Sequence, residues 1–227
     1  ARKSRGLGDV YKRQTDEWTN GNVIKEGDTD QESGKSYFTQ VGGDIDGESP
    51  YDGQLGMSVA MSSDGTRIAI GAIGNDGNGS YSGHVRVYDR DEDEALGWKQ
   101  VGGDIDGERA TDKSGFSVAM SSDGSRIAIG ATYNDGNGGI GDDNRGHVRV
   151  YEYRAYTNDD VNNYHHTNQE QGTVHPQPLP LIITANASTA PVVGNSYWIQ
   201  LGSDIDGKAA DDYSGVSVAM NSSGTVS

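Results

Sequence analysis

Pairs of aspartates separated by one residue occur three times in the sequence, each within the tetrapeptide Asp-Ile-Asp-Gly. A glutamate follows the first two copies, whereas Lys208 takes that place after the third. The candidate ligands are Asp44, Asp46, Glu48, Asp104, Asp106, Glu108, Asp204 and Asp206. Alternating carboxylates can supply oxygens to Ca²⁺, which takes roughly six to eight of them. The alternative is a turn in which aspartate side chains accept hydrogen bonds from nearby backbone N–H groups. The turn is the preferred interpretation, because calcium loops normally supply more ligands.

Two other groups of polar residues could hold a small ligand. Residues 75–79 and 134–138 share the sequence Asn-Asp-Gly-Asn-Gly, which could bind a cation or a sugar hydroxyl. Asn and Gly also favour the positive φ angles of a hairpin, so a turn is the preferred interpretation there too. His84 and His147 occupy the same repeat position and are predicted to be structural. The adjacent histidines at 165–166 could bind a metal, but no third ligand accompanies them.

The composition points away from catalysis, nucleic acid and membranes. The chain has no cysteine, which excludes thiol catalysis and cysteine-based zinc sites. No serine lies in a nucleophile-elbow sequence, and no glycine motif has the phosphate-binding pattern. The formal net charge of -16 would repel a phosphate backbone. No apolar run approaches the ~20 residues of a membrane helix. The sequence therefore predicts a protein that is not an enzyme, binds no nucleic acid and has no certain cofactor, with calcium as the one possible ion.

The candidate ligands belong to a repeat that occurs three times. Its copies begin FTQVGGDIDGE, WKQVGGDIDGE and WIQLGSDIDGK, with glutamines at Gln40, Gln100 and Gln200. The first two copies are 60 residues apart and the next two are 100 apart, so the second copy carries an insertion of roughly forty residues. The chain therefore divides into units, with the predicted segments 1–14 (a leader), 15–36 (the tail of a preceding unit or a loop), 37–97 (repeat 1), 98–153 (repeat 2), 154–196 (an insertion loop that contains proline and histidine) and 197–227 (a truncated repeat 3).

Each repeat predicts four short strands. Apolar residues alternate in SVAMS, RIAI and HVRVY, as in half-buried strands, and Ser-Asp-Gly predicts a hairpin turn between the first two. A fourth, shorter strand is predicted at residues 39–42. The aromatic residues Phe38, Trp98 and Trp198 are expected to pack between units. With 34 glycines and 32% hydrophobic residues, the pattern predicts an all-β fold: a partial β-propeller of four-stranded blades of about 60 residues.

The stretch GFSVAMSSDGSRIAIGA resembles the FG-GAP repeat of integrin-alpha-type β-propellers. Gly115–Phe116 before one strand and Ile129–Gly130–Ala131 at the end of the next carry the resemblance, which covers residues 37–153 and 197–227. It implies seven blades, an extracellular location and a role in adhesion. Many members bind calcium in a D-x-D-x-D-G loop, but the shorter Ser121–Ser122–Asp123–Gly124 stands here, so that site does not transfer. Residues 1–14 resemble translated sequencing-adaptor sequence and are expected to be non-native.

Three functions remain open at this point. The first is a secreted or cell-surface binding module that engages an extracellular protein or a glycan. The second is an intracellular scaffold, because the same stretch also resembles the SVAFSPDG-type signature of WD repeats; the longer unit and the Gly-Ala ending favour FG-GAP. The third is a non-catalytic part of a larger secreted enzyme. In each case neighbouring blades are expected outside this sequence.

Overall fold

The computed structural model describes residues 23–24, 38–48, 53–94, 97–136, 143–160, 182–183 and 191–226. The predicted leader and the histidines at 165–166 lie outside these ranges. Within them the chain is all-β, as predicted. The strands are β1 (Val23–Ile24), β2 (Phe38–Thr39), β3 (Gly53–Met61), β4 (Arg67–Gly74), β5 (His84–Arg90), β6 (Trp98–Gln100), β7 (Ile105–Asp106), β8 (Ser114–Met120), β9 (Arg126–Ala131), β10 (His147–Ala155), β11 (Ile182–Ile183), β12 (Ser196–Gln200) and β13 (Ile205–Asp206).

Two antiparallel sheets are built in the same way from successive repeats. The first has the order β3-β4-β5-β6, and the second has the order β8-β9-β10-β12-β11. The strands containing Ile-Asp, β7 and β13, pair with β5 and β10 respectively. A register shift interrupts the first strand pair of each sheet, between Leu55 and Ser58 and again between Ser114 and Ser117. The short strands β1 and β2 form a separate parallel pair.

The fourth strand of each sheet comes from the following repeat. Strand β6, which begins with Trp98, pairs with β5, and β12, which contains Trp198, pairs with β10. The sequence pattern assigns these strands to the repeats that they begin. The structure instead pairs each of them with the last strand of the preceding repeat: β6 is the outer strand of the first sheet, and β12 lies between β10 and β11 in the second. The first strand of each following repeat therefore pairs into the sheet of the repeat before it, and this pairing links consecutive sheets.

The hydrophobic core lies between the two sheets. Ala69, Val85 and Val87 of the first sheet form one cluster with Ile127, Ile129, Tyr151 and Trp198, and with Ile105. Trp198 is fully buried, and its indole N–H donates to the carbonyl of Val101 at 3.0 Å. Trp98 is half-buried and makes the equivalent bond to the carbonyl of Val41 at 3.2 Å. The side chain of Phe38 is outside the described part of the chain.

The contacts between units repeat atom for atom. At the first junction, between β3–β4 and the start of β8, Ser58 Oγ donates to the carbonyl of Gly115 at 2.7 Å. At the second junction, between β8–β9 and residues 214–216, Ser117 Oγ donates to the carbonyl of Gly215 at the same distance. Two neighbouring units therefore meet in one geometry, used twice.

No helix among the described residues has the length and apolar character needed to cross a bilayer.

Candidate metal centre

Strand pairing between repeats places two histidines beside the Asp-Ile-Asp-Gly segments. His84 begins β5 and lies opposite Asp106 of β7, and His147 begins β10 and lies opposite Asp206 of β13. Each histidine therefore begins the last strand of its own repeat, and each facing aspartate belongs to the next repeat. The glutamate that follows the tetrapeptide of the histidine's own repeat completes each group. We name the groups the Glu48 cluster (Glu48, His84, Asp104) and the Glu108 cluster (Glu108, His147, Asp204).

In the Glu108 cluster, one nitrogen and two carboxylate oxygens face the same point. The distance from His147 Nδ1 is 3.8 Å to Asp204 Oδ2 and 3.9 Å to Glu108 Oε2. The three atoms all lie within 4.8 Å of one another. The imidazole side chain is 1% exposed, whereas Asp204 is 18% and Glu108 35% exposed. A buried nitrogen thus faces two carboxylates that solvent can still reach.

The Glu48 cluster repeats this arrangement at the preceding junction. The distance from His84 Nδ1 to Asp104 Oδ2 is 3.8 Å, and the ligand atoms of Glu48, His84 and Asp104 lie within 4.8 Å of one another. Asp106 Oδ1 is 4.0 Å from the same nitrogen. Burial, followed by the charges of Asp104 and Glu48, raises the pKa of Asp106 to about 6.

One buried arginine lies beside the glutamate of each cluster. Arg149 Nη2 donates to the carbonyl of Asp106 at 2.8 Å, and its Nη1 lies 3.9 Å from Glu108 Oε1. In the Glu48 cluster, Arg86 Nη2 donates to the carbonyl of Asp46 at 3.1 Å, and Nη1 lies 3.4 Å from Glu48 Oε1. The arginines therefore hold the turn of one repeat while partly balancing the glutamate charge.

Burial keeps His147 uncharged at neutral pH. Desolvation, with a smaller contribution from the positive charge of Arg149, lowers the pKa of His147 to about 3. Neither ring nitrogen of His147 has a hydrogen-bond partner within the described residues. Burial also raises the pKa of Glu108 and raises the pKa of the Tyr151 hydroxyl to about 12. The approach of His147 to the carboxylates is therefore not a salt bridge, because the imidazole is neutral.

The structure brings some of the predicted aspartates into the two clusters and leaves the others outside them. The first aspartate of each tetrapeptide accepts a hydrogen bond from the glutamine four residues earlier; the pairs are Gln40–Asp44 at 2.9 Å, Gln100–Asp104 at 2.7 Å and Gln200–Asp204 at 2.8 Å. These donors are side-chain amides. Among the described residues, Asp44, Asp46, Asp106 and Asp206 belong to neither cluster. The carboxylates of one tetrapeptide do not converge with its own glutamate, so a calcium loop within a single repeat has no geometric support in the described residues.

The sequence predicts a structural role for His84 and His147. Their shared position at the start of HVRVY is the one feature of the sequence that distinguishes them. The sequence gives no indication that the partners of His147 lie 39 residues before it and 57 residues after it, at Glu108 and Asp204.

The Asn-Asp-Gly loops make turns in the described residues. The side-chain carbonyls of Asn75 and Asn134 accept hydrogen bonds from the N–H groups of Gly77 and Gly136, both at 2.7 Å. This is the Asx-turn pattern. The loop at Asp123 is also a turn, because the N–H of Ser125 donates to Asp123 Oδ1 at 3.0 Å. This hydrogen bond and those from the hydroxyls of Ser121 and Ser125 lower the pKa of Asp123 to about 2.

No family model matches this chain, and no curated protein is significantly similar to it. Its function is therefore argued from the geometry of the loops and of the two clusters.

Proposed function

We propose that this chain is a non-catalytic binding module of an FG-GAP-like β-propeller, and that it engages an extracellular protein or a glycan. The repeated junction supports the propeller part of this proposal. An interface used twice with the same atoms rotates each unit by the same amount, which makes a repeat array curve. In this arrangement the two sheets are successive four-stranded blades.

An exposed apolar face of β3 supports the same architecture. Val59 and Met61 are about half exposed, whereas their repeat counterparts Val118 and Met120 pack against the core between the sheets. The first unit covers this face of β8, whereas the same face of β3 is exposed. The exposed face of β3 is therefore the surface on which a preceding blade would pack. This is the place of the neighbouring blades expected from the sequence.

The binding function rests on one backbone feature that recurs two residues before the glycine of Gly-x-Ser-Val-Ala-Met in each unit, a position that lies within β3 in the first unit. Gln54, Lys113 and Tyr213 occupy the same repeat position and have left-handed φ angles of 77°, 53° and 49°. This conformation costs an L-residue roughly 1 kcal/mol, and glycine would adopt it freely. Strained backbone of this kind clusters in functional loops. Each unit thus presents a different long side chain from one rigid backbone position, as binding loops on a scaffold do.

Aromatic residues surround these positions. Lys113 Nζ lies 3.9 Å from the ring centroid of Tyr133, and the rings of Tyr133 and Tyr213 meet edge to face at 5.5 Å. The carbonyl of Tyr81, a residue that is 56% exposed, accepts a hydrogen bond from the N–H of Lys113 at 3.1 Å. We name Tyr81, Lys113, Tyr133 and Tyr213 the loop surface. Tyrosine is enriched at binding interfaces because its ring is apolar and its hydroxyl can form hydrogen bonds.

The burial of the two described histidines favours a structural role over catalysis. His84 and His147 are the histidines within the described residues, and both are buried at unit junctions. An imidazole enclosed in this way cannot reach a substrate at the surface as a general base. The acidic charge of the chain favours basic proteins or neutral sugars as ligands.

The proposal is tested by probing glycan and extracellular-protein arrays with the 227-residue chain, followed by titration of each ligand that is found. Tyr133→Ala and Tyr213→Ala are expected to weaken binding by at least about tenfold, the size of a binding hot spot. Tyr197→Ala is the matched control, because Tyr197 pairs with Tyr156 away from the loop surface. A folded chain that binds nothing on either array, or loop variants that bind like the control, would refute the proposal.

A further inference from the structure

We propose that the Glu108 cluster binds a divalent transition-metal ion of the zinc class through His147 Nδ1 and one carboxylate oxygen each from Glu108 and Asp204. The binding function proposed above does not require this ion, and the ion does not depend on that function. The ion would bridge two repeats at a junction.

The buried imidazole is the first observation that points to an ion. His147 is 1% exposed, its Nδ1 faces two carboxylates, and it has no hydrogen-bond partner within the described residues. A buried polar atom in this state is destabilising, because it has lost its hydrogen bonds to water and gained none in the protein. A metal bond to Nδ1 would remove that cost, because a metal ion binds the lone pair of an imidazole nitrogen.

The spacing of the three ligand atoms is the second observation. The nitrogen–oxygen distances of 3.8 and 3.9 Å are too long for hydrogen bonds. Two tetrahedral zinc ligands, each about 2.0–2.2 Å from the metal, lie roughly 3.4 Å apart. Closing this difference requires each nitrogen–oxygen distance to shorten by about half an ångström, a movement that the partly exposed Glu108 and Asp204 side chains can supply.

The charge and the type of the ligands select the class of ion. Three carboxylates, those of Glu108, Asp204 and the nearby Asp112, surround the buried guanidinium of Arg149, so a divalent cation would enter a site rich in acidic groups. One imidazole nitrogen with two carboxylates is a set that zinc and similar metals accept. Calcium instead prefers a shell of oxygens. Three protein ligands leave a fourth position for water, on the side where Glu108 is exposed.

The test uses the full chain after treatment with a chelator, titrated with Zn²⁺ by calorimetry, with the bound metal counted by mass spectrometry. We expect one zinc ion at this cluster and an unfolding midpoint that rises with zinc concentration. Asp204→Asn should remove this ion or weaken its binding by at least about tenfold. Asparagine retains an oxygen that can accept the hydrogen bond from Gln200, so this variant is expected to fold.

Two controls separate the proposed site from other acidic or histidine residues. Asp44→Asn changes the repeat-equivalent aspartate, which accepts the same glutamine hydrogen bond but belongs to neither cluster, and should retain the ion. The double variant His165→Ala/His166→Ala should also retain it. A shift of the His147 ring signals in NMR on zinc addition provides a readout independent of stability.

Several outcomes would overturn the assignment. A folded, chelator-treated chain that binds no zinc would do so, as would unchanged zinc binding in Asp204→Asn. Loss of binding in the His165 and His166 variant would assign the zinc to that pair instead. Calcium binding at least as tight as zinc binding, with the same dependence on Asp204, would refute the proposed class of ion.

Discussion

Gly71 lies where the backbones of two units are in close contact, and replacing it by alanine tests whether the junction forms in solution. A Cβ atom at this position would lie 2.6 Å from Ser58 Oγ and closer still to the carbonyl oxygen of Gly115. Gly130 has the same surroundings at the second junction, with Ser117 Oγ at 2.5 Å. The glycine in Arg-Ile-Ala-Ile-Gly-Ala therefore allows the next unit to pack directly on β4.

The expected cost of Gly71→Ala has two parts. The added methyl group forces β4 and the start of β8 apart, and overpacking of this kind costs typically about 1–3 kcal/mol. The separation also removes the Ser58–Gly115 hydrogen bond, which contributes about 1 kcal/mol. Together these give a loss of about 2–4 kcal/mol in the free energy of unfolding, measured by urea denaturation with tryptophan fluorescence.

Ser58→Ala is the matched control, because it removes the same hydrogen bond without inserting an atom. It should cost about 1 kcal/mol, so the difference between the two variants measures the close approach itself. If Gly71→Ala is no more destabilising than Ser58→Ala, the two units do not meet in solution as the structure places them, and the repeated junction loses its physical basis.

Three further perturbations test the core, the second junction and the edge of the insertion. Trp198→Ala should destabilise the chain by about 3–5 kcal/mol in urea, and Trp98→Ala by clearly less, because only Trp198 is fully buried; equal losses would contradict the core described here. Gly130→Ala should cost about as much as Gly71→Ala by the same measurement, and a much smaller loss would mean that the junctions differ. Hydrogen bonds from Arg154 lower the pKa of Asp160, so their stabilisation is present above the unfolded pKa of about 3.9 and is lost as pH falls below it. The stability difference between the chain and Asp160→Asn should therefore shrink from pH 7 to pH 2, and a constant difference would show that this ion pair is not its cause.

The strands and turns of each repeat could be predicted because their causes are local. Alternation in Arg-Ile-Ala-Ile and His-Val-Arg-Val-Tyr requires only that neighbouring side chains point to opposite faces. The structure confirms that these stretches are strands, namely β4, β5, β9 and β10. Turns at Asp64 and Asp123 follow from the short-range hydrogen bonds that aspartate makes with residues two positions away.

The partner of the fourth strand could not be predicted in this way. Trp98–Gln100 and Ser196–Gln200 have the same alternation whether they pair within their own repeat or with the preceding sheet. The choice depends on which arrangement buries Trp198 between the two sheets. That burial is a property of the packed units, and it does not appear in the local pattern of either strand.

The amino-acid sequence by itself therefore determined the all-β class, the repeat and the positions of most strands, since alternation and turn chemistry act over a few residues. Only the tertiary structure decided that Glu108, His147 and Asp204 meet at one point. These residues are separated by 39 and 57 positions along the chain. They come together because strand β13 of the next repeat pairs with the strand that His147 begins, and the packing of whole units controls that pairing.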